Sequence, residues 1–345
     1  MKKKKIISIS AIMVCATVFL VLAIVQNIPA TENPISHLYT FGDSSVDIGR
    51  AKELTTAIVN SDSVPEGAYI KAEDGYYWEG RYSNGKVFTE LLAQYLNVDI
   101  TNYAVGGAKS GPDSNGYTNW SSWLEGTGGV EQTKEFVETY DGTVDADALY
   151  LIATGGNDTY NLLNDSVGNV VDDSVSNIVE MVEDLADAGA KRFIVILQCY
   201  KPESGLSEFS DLHKTTTEKA MEELTKNRNL DILCVDFSSL NEDIENNMEE
   251  YGYKTVSYYM ISDYIPAIGY SYHFLDNTKL FSEAPEGYGE YEYDGFTGSG
   301  EDGFWTVDEY YYYDEYHVTR TTHKHFFEYM KPLVEEFFAN QIEEE

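Results

Sequence analysis

Basic residues are scarce in this chain of 345 residues: 23 lysines and arginines stand against 59 aspartates and glutamates, a formal net charge of −36. Four of those bases, Lys2 to Lys5, precede an apolar run, so the remainder is more acidic still. A field of that sign repels phosphate backbones and anionic membrane surfaces, which argues against nucleic acid as a partner. Cysteine is nearly absent. Cys15 lies deep inside the apolar run with no small residue before it, which is not the setting of a lipid-bearing cysteine. Cys199 and Cys234 each fall in or next to a strand-like apolar run, where two buried thiols and one disulfide are both open readings. No G-x-S-x-G elbow occurs, which disfavours the α/β-hydrolase fold. The string "GGAKSG" fails the G-x-x-x-x-G-K-[ST] pattern of a phosphate loop. No internal repeat is apparent.

What is present begins with Lys2 to Lys5, an apolar run from Ile6 to Val25 and a short polar stretch to Ala30, the layout of a secretory signal. Twenty apolar residues also suffice to span a bilayer, so an uncleaved N-terminal anchor, and with it a membrane tether, is a second reading. In either case four lysines ahead of the run hold the N-terminus inside, and residues 31–345 are expected outside the cell as one domain.

Short apolar runs then alternate with helical patterns. "HLYTF" (37–41), "NYAV" (102–105), "ALYLIAT" (148–154), "RFIVIL" (192–197) and "DILCVDF" (231–237) read as strands buried on both faces. Phe88, Leu91, Leu92, Tyr95 and Leu96 recur at helical spacing. So do Val175, Ile178, Val179, Val182, Leu185 and Ala186, with Gly189 as a C-cap candidate. Five strands in a βα alternation predict an α/β protein, a three-layer α/β/α sandwich around a parallel sheet. The alternation stops near residue 252. Residues 253–313 are rich in Tyr, Gly, Asp and Glu, carry eight tyrosines between Tyr288 and Tyr316 with the following loop, and read as an ordered insertion before a last helix at 321–341.

Ligands of an open parallel sheet bind beyond the carboxyl ends of its strands. Three polar clusters occupy such places: "FGDSS" after the first strand, "AVGGA" after the second and "ATGGND" after the third. Ser44 is a poor nucleophile without a base. "DEYHVTRTTH" (314–323) supplies one in His317, with Asp314 three residues earlier to fix its tautomer. Gly106 and Gly107 let backbone amides approach a substrate oxygen, and the Asn157 amide can join them around an oxyanion. Asp43, Asp47 and Asp158 read as side chains that bond local backbone N–H groups and shape turns. His323 and His325 lack the spacing and cysteine partners of a zinc site. The tyrosines 310–313 read equally as a stacking surface and as a core edge.

These residues resemble the GDSL-type, or SGNH, serine esterase/lipase superfamily, in its lipase-like branch. "FGDSSVDIG" is similar to its first block, "NYAVGGAKS" to its second, "GGND" to its third and "DEYHVTRTTH" to its last, in the family's order. "EGRYSNGKVFTELLAQYL" (79–96) is similar to the segment after the first block. The likeness spans residues 37–335. Ser45 departs from the usual leucine and Val318 from the usual proline; neither removes a reacting group. The resemblance implies a flavodoxin-like sheet and a Ser44, His317, Asp314 triad. It also implies an oxyanion hole from Ser44, Gly107 and Asn157, and ester hydrolysis through an acyl-enzyme without metal or organic cofactor. Lipid, short acyl and acetylated carbohydrate esters are all open as substrates. The reading of a different class is a surface-anchored protein that keeps the fold and captures glycans or peptides through the tyrosine-rich insertion.

Overall fold

Alternate residues of the central strands face two different cores, and that alternation sets the architecture. The computed structural model describes residues 35–65, 67–73, 77–113, 124–199, 206–253, 255–258, 260–265, 269–274 and 304–344. The leader, residues 1–30, lies outside the described residues. Strands β1 (His37–Gly42), β2 (Asp99–Asn102), β3 (Leu149–Ala153), β4 (Arg192–Ile196) and β5 (Asp231–Val235) form one sheet in the order β2-β1-β3-β4-β5. Every pairing in it is parallel.

Leu38, Leu149, Leu151, Ile194 and Ile196 point to one face of the sheet. There they meet α2 (Phe88–Leu96), α6 (Ser238–Asn246) and α7 (Arg320–Glu344) through Leu92, Ile244, Met330 and Val334. Tyr39, Phe41, Tyr150, Ile152, Phe193 and Val195 point to the other. They meet α3 (Gly129–Thr139), α4 (Val167–Asp187) and α5 (Ser207–Arg228) through Phe136, Met181, Leu185 and Met221. Each such fully buried side chain contributes about 1.5–3 kcal/mol. The remaining helix, α1 (Arg50–Val59), follows β1. This is the expected three-layer sandwich with a five-stranded parallel sheet.

Two expectations need correction. "NYAV" is not the second strand: β2 is Asp99–Asn102, and the apolar run begins where the strand ends. This edge strand is only partly buried, and its residues Asp, Ile, Thr and Asn include a single apolar side chain, so no continuous apolar run marks it. Helix α4 is capped at Ala188 and not at Gly189, which follows as the left-handed residue, φ 122°. Cys199 and Cys234 are free thiols, half-buried in the residue sense, and burial pushes both up to about 12. They behave as inert packing groups.

Most of the 253–313 segment lies outside the described residues. Within it, β6 (Thr255–Tyr258) pairs in parallel with β9 (Tyr310–Tyr312), and β7 (Met260–Ile265) forms an antiparallel pair with β8 (Gly269–Phe274). Tyr310, Tyr311 and Tyr313 are buried, and Tyr311 joins the core beside Tyr253 and Met330. That run is therefore a core edge and not a stacking surface.

Strand β1 ends in a glycine that no other residue can replace. Gly42 has φ 143°, and a Cβ there would lie 1.9 Å from the Ala153 carbonyl oxygen of the neighbouring strand. Gln132 clamps the same residue: its Oε1 accepts the Gly42 N–H at 2.8 Å and its Nε2 donates to the Gly42 carbonyl at 2.9 Å. Gly42→Ala is expected to lower stability by about 3 kcal/mol or more, from backbone strain together with the backbone overlap. A urea-unfolding midpoint shared with wild type would refute this.

Candidate active site

The strand order reverses between β1 and β3, and the loops that follow β1, β2 and β3 converge beyond that point. Ser44 lies two residues past β1, Gly107 in the loop after β2, and Asn157 in the turn after β3. The fourth contributor is the loop from Tyr313 to Thr319 between β9 and α7. That loop is closed by a backbone bridge between Tyr312 and Val318 and by the Thr319 N–H donating to the Tyr311 carbonyl at 3.0 Å. Ser83 Oγ donates to the Val318 carbonyl at 2.8 Å. Val318, in the position where proline was expected, thus holds the loop through its backbone.

Asn84 and Arg320 fasten the loop from the outside. The Arg320 guanidinium grips Asp308 at 2.9 and 2.5 Å, while Asn84 accepts the Arg320 N–H at 2.8 Å and donates to Asp308 at 3.0 Å. A paired fork of this kind fixes orientation as well as distance.

The geometry brings Ser44, His317 and Asp314 into one hydrogen-bonded chain. Ser44 Oγ is 2.8 Å from His317 Nε2, and His317 Nδ1 is 2.7 Å from Asp314 Oδ2. Asp314 is buried, and its carboxylate also accepts the backbone N–H groups of Tyr316 and His317 at 2.8 Å each. Burial pushes this carboxyl up, but the His317 charge and the hydrogen bonds from His317, Tyr77 and Tyr316 outweigh it and hold it below the ordinary value. An ionised Asp314 requires the proton on Nδ1, which leaves Nε2 as the acceptor for the Ser44 hydroxyl.

The turn carrying Ser44 is built by two aspartates. Asp43 Oδ1 accepts the Ser45 N–H at 3.0 Å and the Ser45 hydroxyl at 2.8 Å. Ser45, the departure from leucine, therefore serves the turn with its hydroxyl. Asp47 Oδ1 accepts the Gly49 and Arg50 N–H groups at 2.8 and 2.7 Å, and Oδ2 accepts the Gly106 N–H at 2.8 Å. Asp158 likewise binds the Ser110 N–H and hydroxyl at 2.9 and 2.8 Å. Burial pushes all three carboxyls up against those hydrogen bonds.

Asn157 Nδ2 donates to the Ala108 carbonyl at 2.9 Å, which ties it to the residue after Gly107. Among the described residues no hydrogen bond uses the backbone N–H of Ser44 or of Gly107. Both residues are partly exposed, as are Asn157 and His317. Two free amide donors beside a base-activated hydroxyl form an arrangement able to bind a developing oxyanion. His323 is buried and accepts the Phe88 N–H at 3.4 Å; burial drives it down to about 3. His325 accepts from or donates to no residue of the Ser44 cluster; its Nε2 lies 3.2 Å from the Tyr251 carbonyl.

A GDSL-like Lipase/Acylhydrolase family model matches residues 38–330. The chain belongs to this family. A GDSL esterase/lipase of Arabidopsis thaliana is 36% identical over 70 residues, which make up 20% of this chain and 19% of that protein. The chain thus matches about a fifth of the length of that relative. Among solved structures, a lipolytic G-D-S-L family member from Veillonella parvula aligns with TM-score 0.36 at 14% identity, covering 65% of this chain and 86% of its own. The M. smegmatis aryl esterase aligns at TM-score 0.33 and 15% identity, covering 59% and 85%. A carbohydrate acetylesterase from Sinorhizobium meliloti aligns at 0.34 and 12%, covering 59% and 85%.

Within this GDSL chain, the site is bordered by two aromatic residues to which no motif gave a role, although one of them, Tyr82, lies in the 79–96 segment. Tyr77 is buried, and its hydroxyl donates to Asp314 Oδ2 at 2.6 Å. The Tyr82 ring lies 4.9 Å from the His317 ring, tilted by 36°. Both come from the stretch after α1, more than 200 residues from the loop they support, so no sequence spacing could connect them. Tyr77→Phe removes a donor to an ionised carboxylate without removing packing. It is expected to lower kcat about tenfold with little change in KM. Steady-state kinetics decide; an unchanged kcat would make Tyr77 a packing residue only.

Proposed function

We propose that this chain is an exported serine esterase acting on carboxylic esters. His317 Nε2 takes the Ser44 proton as Oγ attacks the ester carbonyl. The Ser44 and Gly107 N–H groups, with the Asn157 amide, stabilise the tetrahedral oxyanion. His317 then gives its proton to the leaving alcohol, and an acyl group remains on Ser44. Water, deprotonated by His317, attacks that acyl-enzyme and releases the acid. A second alcohol entering in place of water would take the acyl group by the same steps.

The observation that carries this reading is the continuous hydrogen-bonded chain from Ser44 Oγ through His317 to Asp314, beside the Ser44 and Gly107 backbone N–H groups, which no hydrogen bond uses among the described residues. The leader layout supports export, with either a cleaved signal or a retained tether. Short acyl, neutral lipid and acetylated carbohydrate esters suit the site's chemistry. The acidic surface disfavours anionic phospholipid at low salt.

The test is hydrolysis of p-nitrophenyl esters from acetate to palmitate, together with the mass of the chain after a fluorophosphonate. Turnover and one phosphonyl group on Ser44 support the reading, and the chain-length profile separates an acetylesterase from a lipase. A folded protein that hydrolyses none of the series and takes up no phosphonate defeats it in favour of a glycan- or peptide-binding role.

A further inference from the structure

Lys71 is an ammonium group buried where the mechanism above gives it no part. It is 6% exposed, on the loop that follows α1. Its backbone N–H donates to Thr55 Oγ1 at 2.9 Å, and that hydroxyl donates to the Ala51 carbonyl at 2.7 Å, so the loop is anchored on α1. The side chain reaches away from the helix, and Nζ donates to the Gly106 carbonyl at 3.0 Å. From the opposite side Asp47 Oδ2 accepts the Gly106 N–H at 2.8 Å. Gly106 is thus gripped on both of its peptide groups.

What lies between those grips is a turn. The Ala108 N–H donates to the Val105 carbonyl at 2.9 Å, and Gly107 has φ 91°. A positive φ at the third position alone defines a type II turn. Its central peptide joins the Gly106 carbonyl to the Gly107 N–H. Rotating that peptide by about half a turn gives a type I turn, and glycine at Gly107 accepts both conformations. Because the peptide is trans, its C=O and N–H point in opposite directions, so a flip would turn the Gly107 N–H away from its present side. A flip also breaks the bond to Lys71.

We infer that Lys71 is a positioning residue of the oxyanion hole: by holding the Gly106 carbonyl it keeps the Gly107 N–H aimed at the oxyanion. The inference rests on the esterase reading given above. A cationic donor on the carbonyl also polarises the peptide and makes the Gly107 N–H a stronger donor. Packing alone does not call for a lysine here. Methionine has nearly the same length and shape, and it carries no charge to desolvate. Burial lowers Lys71 to about 8, partly opposed by Asp47. Asp47, on the loop after β1, is the charged group that faces it; α1 presents the Thr55 hydroxyl, and the loop after β2 presents the Gly106 carbonyl.

Lys71→Met is the test, with active sites counted by fluorophosphonate labelling so that any misfolded fraction is removed from the rate. Turnover of p-nitrophenyl acetate is followed from pH 6 to 10. For the variant, kcat is expected to fall about 10- to 100-fold at pH 7, less than or equal to the loss of one oxyanion donor, with KM within about twofold. The thermal midpoint is not expected to rise, because the Gly106 carbonyl and Asp47 each lose a buried partner as the buried charge goes. Lys71 is charged below pH 8 and loses its charge above it. Wild-type kcat should therefore decline through that range, and the variant should lack the decline.

A variant kcat within twofold of wild type overturns the inference. So does a loss of kcat in a variant that keeps the alkaline decline. Wild-type turnover that survives Ser44→Ala defeats the esterase reading, and the Lys71 role with it. Turnover that depends on Ser44 but ignores Lys71→Met defeats only the Lys71 role.

Discussion

Ser44→Ala is expected to reduce kcat about 10⁶-fold while the protein remains folded and KM stays within a few fold. The side chain is small, and its hydrogen bond runs to His317 Nε2 at 2.8 Å. Removing Oγ leaves the imidazole held by Asp314 from its other nitrogen and leaves both amide donors of the hole in place. Whatever rate survives then comes from substrate binding and the hole, about 10³- to 10⁴-fold above water.

The neighbouring hydroxyl offers no substitute nucleophile. Ser45 Oγ is exposed, but it donates to Asp43 Oδ1 at 2.8 Å, and that bond holds it to a carboxylate and not to an imidazole. His317→Ala should lose about as much as Ser44→Ala, and the double variant little more, since the two side chains act as one unit. Initial rates on p-nitrophenyl acetate, with a thermal midpoint for each variant, decide the matter. A loss under about a hundredfold for Ser44→Ala would mean that the turnover arises elsewhere.

Local chemistry made the blocks around these residues legible in the sequence. Asp314 and His317 are three residues apart, so a single loop joins them, and the turns at Ser44 and Asn157 each follow a buried strand. β1, β3 and β4 were visible for the same reason: central strands covered on both faces are continuously apolar. β5, an edge strand, was visible because it still carries an apolar run, Ile232 to Val235. β2 was displaced by three residues because Asp99–Asn102 is partly solvated and carries only one apolar residue, Ile100. The fate of Tyr310–Tyr313 was undecidable from composition, since a tyrosine suits a core edge and an exposed surface alike, and only the packing of Tyr311 against Tyr253 and Met330 separates them.

The supporting residues were illegible for a different reason. Tyr77, Gln132 and Lys71 act on Asp314, Gly42 and Gly106 across 237, 90 and 35 residues. Their own neighbourhoods in sequence carry no sign of it. Contacts of that kind are set by how the loops pack and not by any spacing along the chain.

Asp314→Asn is expected to lower kcat about 10⁴-fold at pH 7 through the position of one proton. Asp314 Oδ1 faces the Tyr316 and His317 backbone N–H groups, which demand an oxygen there. The asparagine NH₂ must then take the place of Oδ2, facing Tyr77 and His317 Nδ1. A donor in that position requires Nδ1 to be the acceptor, which moves the imidazole proton to Nε2 and leaves the Ser44 hydroxyl without a base. Stability should respond as well, with a definite sign. The Asp314 carboxyl sits below its ordinary value of 3.8, so its contribution to folding is present above that pH and is lost as pH falls through the folded value. The asparagine variant should melt lower than wild type at pH 7, and the gap should narrow in acid below pH 3.8. A variant that melts lower but keeps its rate would make the carboxylate a structural brace. The joint loss of rate and of acid-sensitive stability is what a buried carboxylate orienting an imidazole requires.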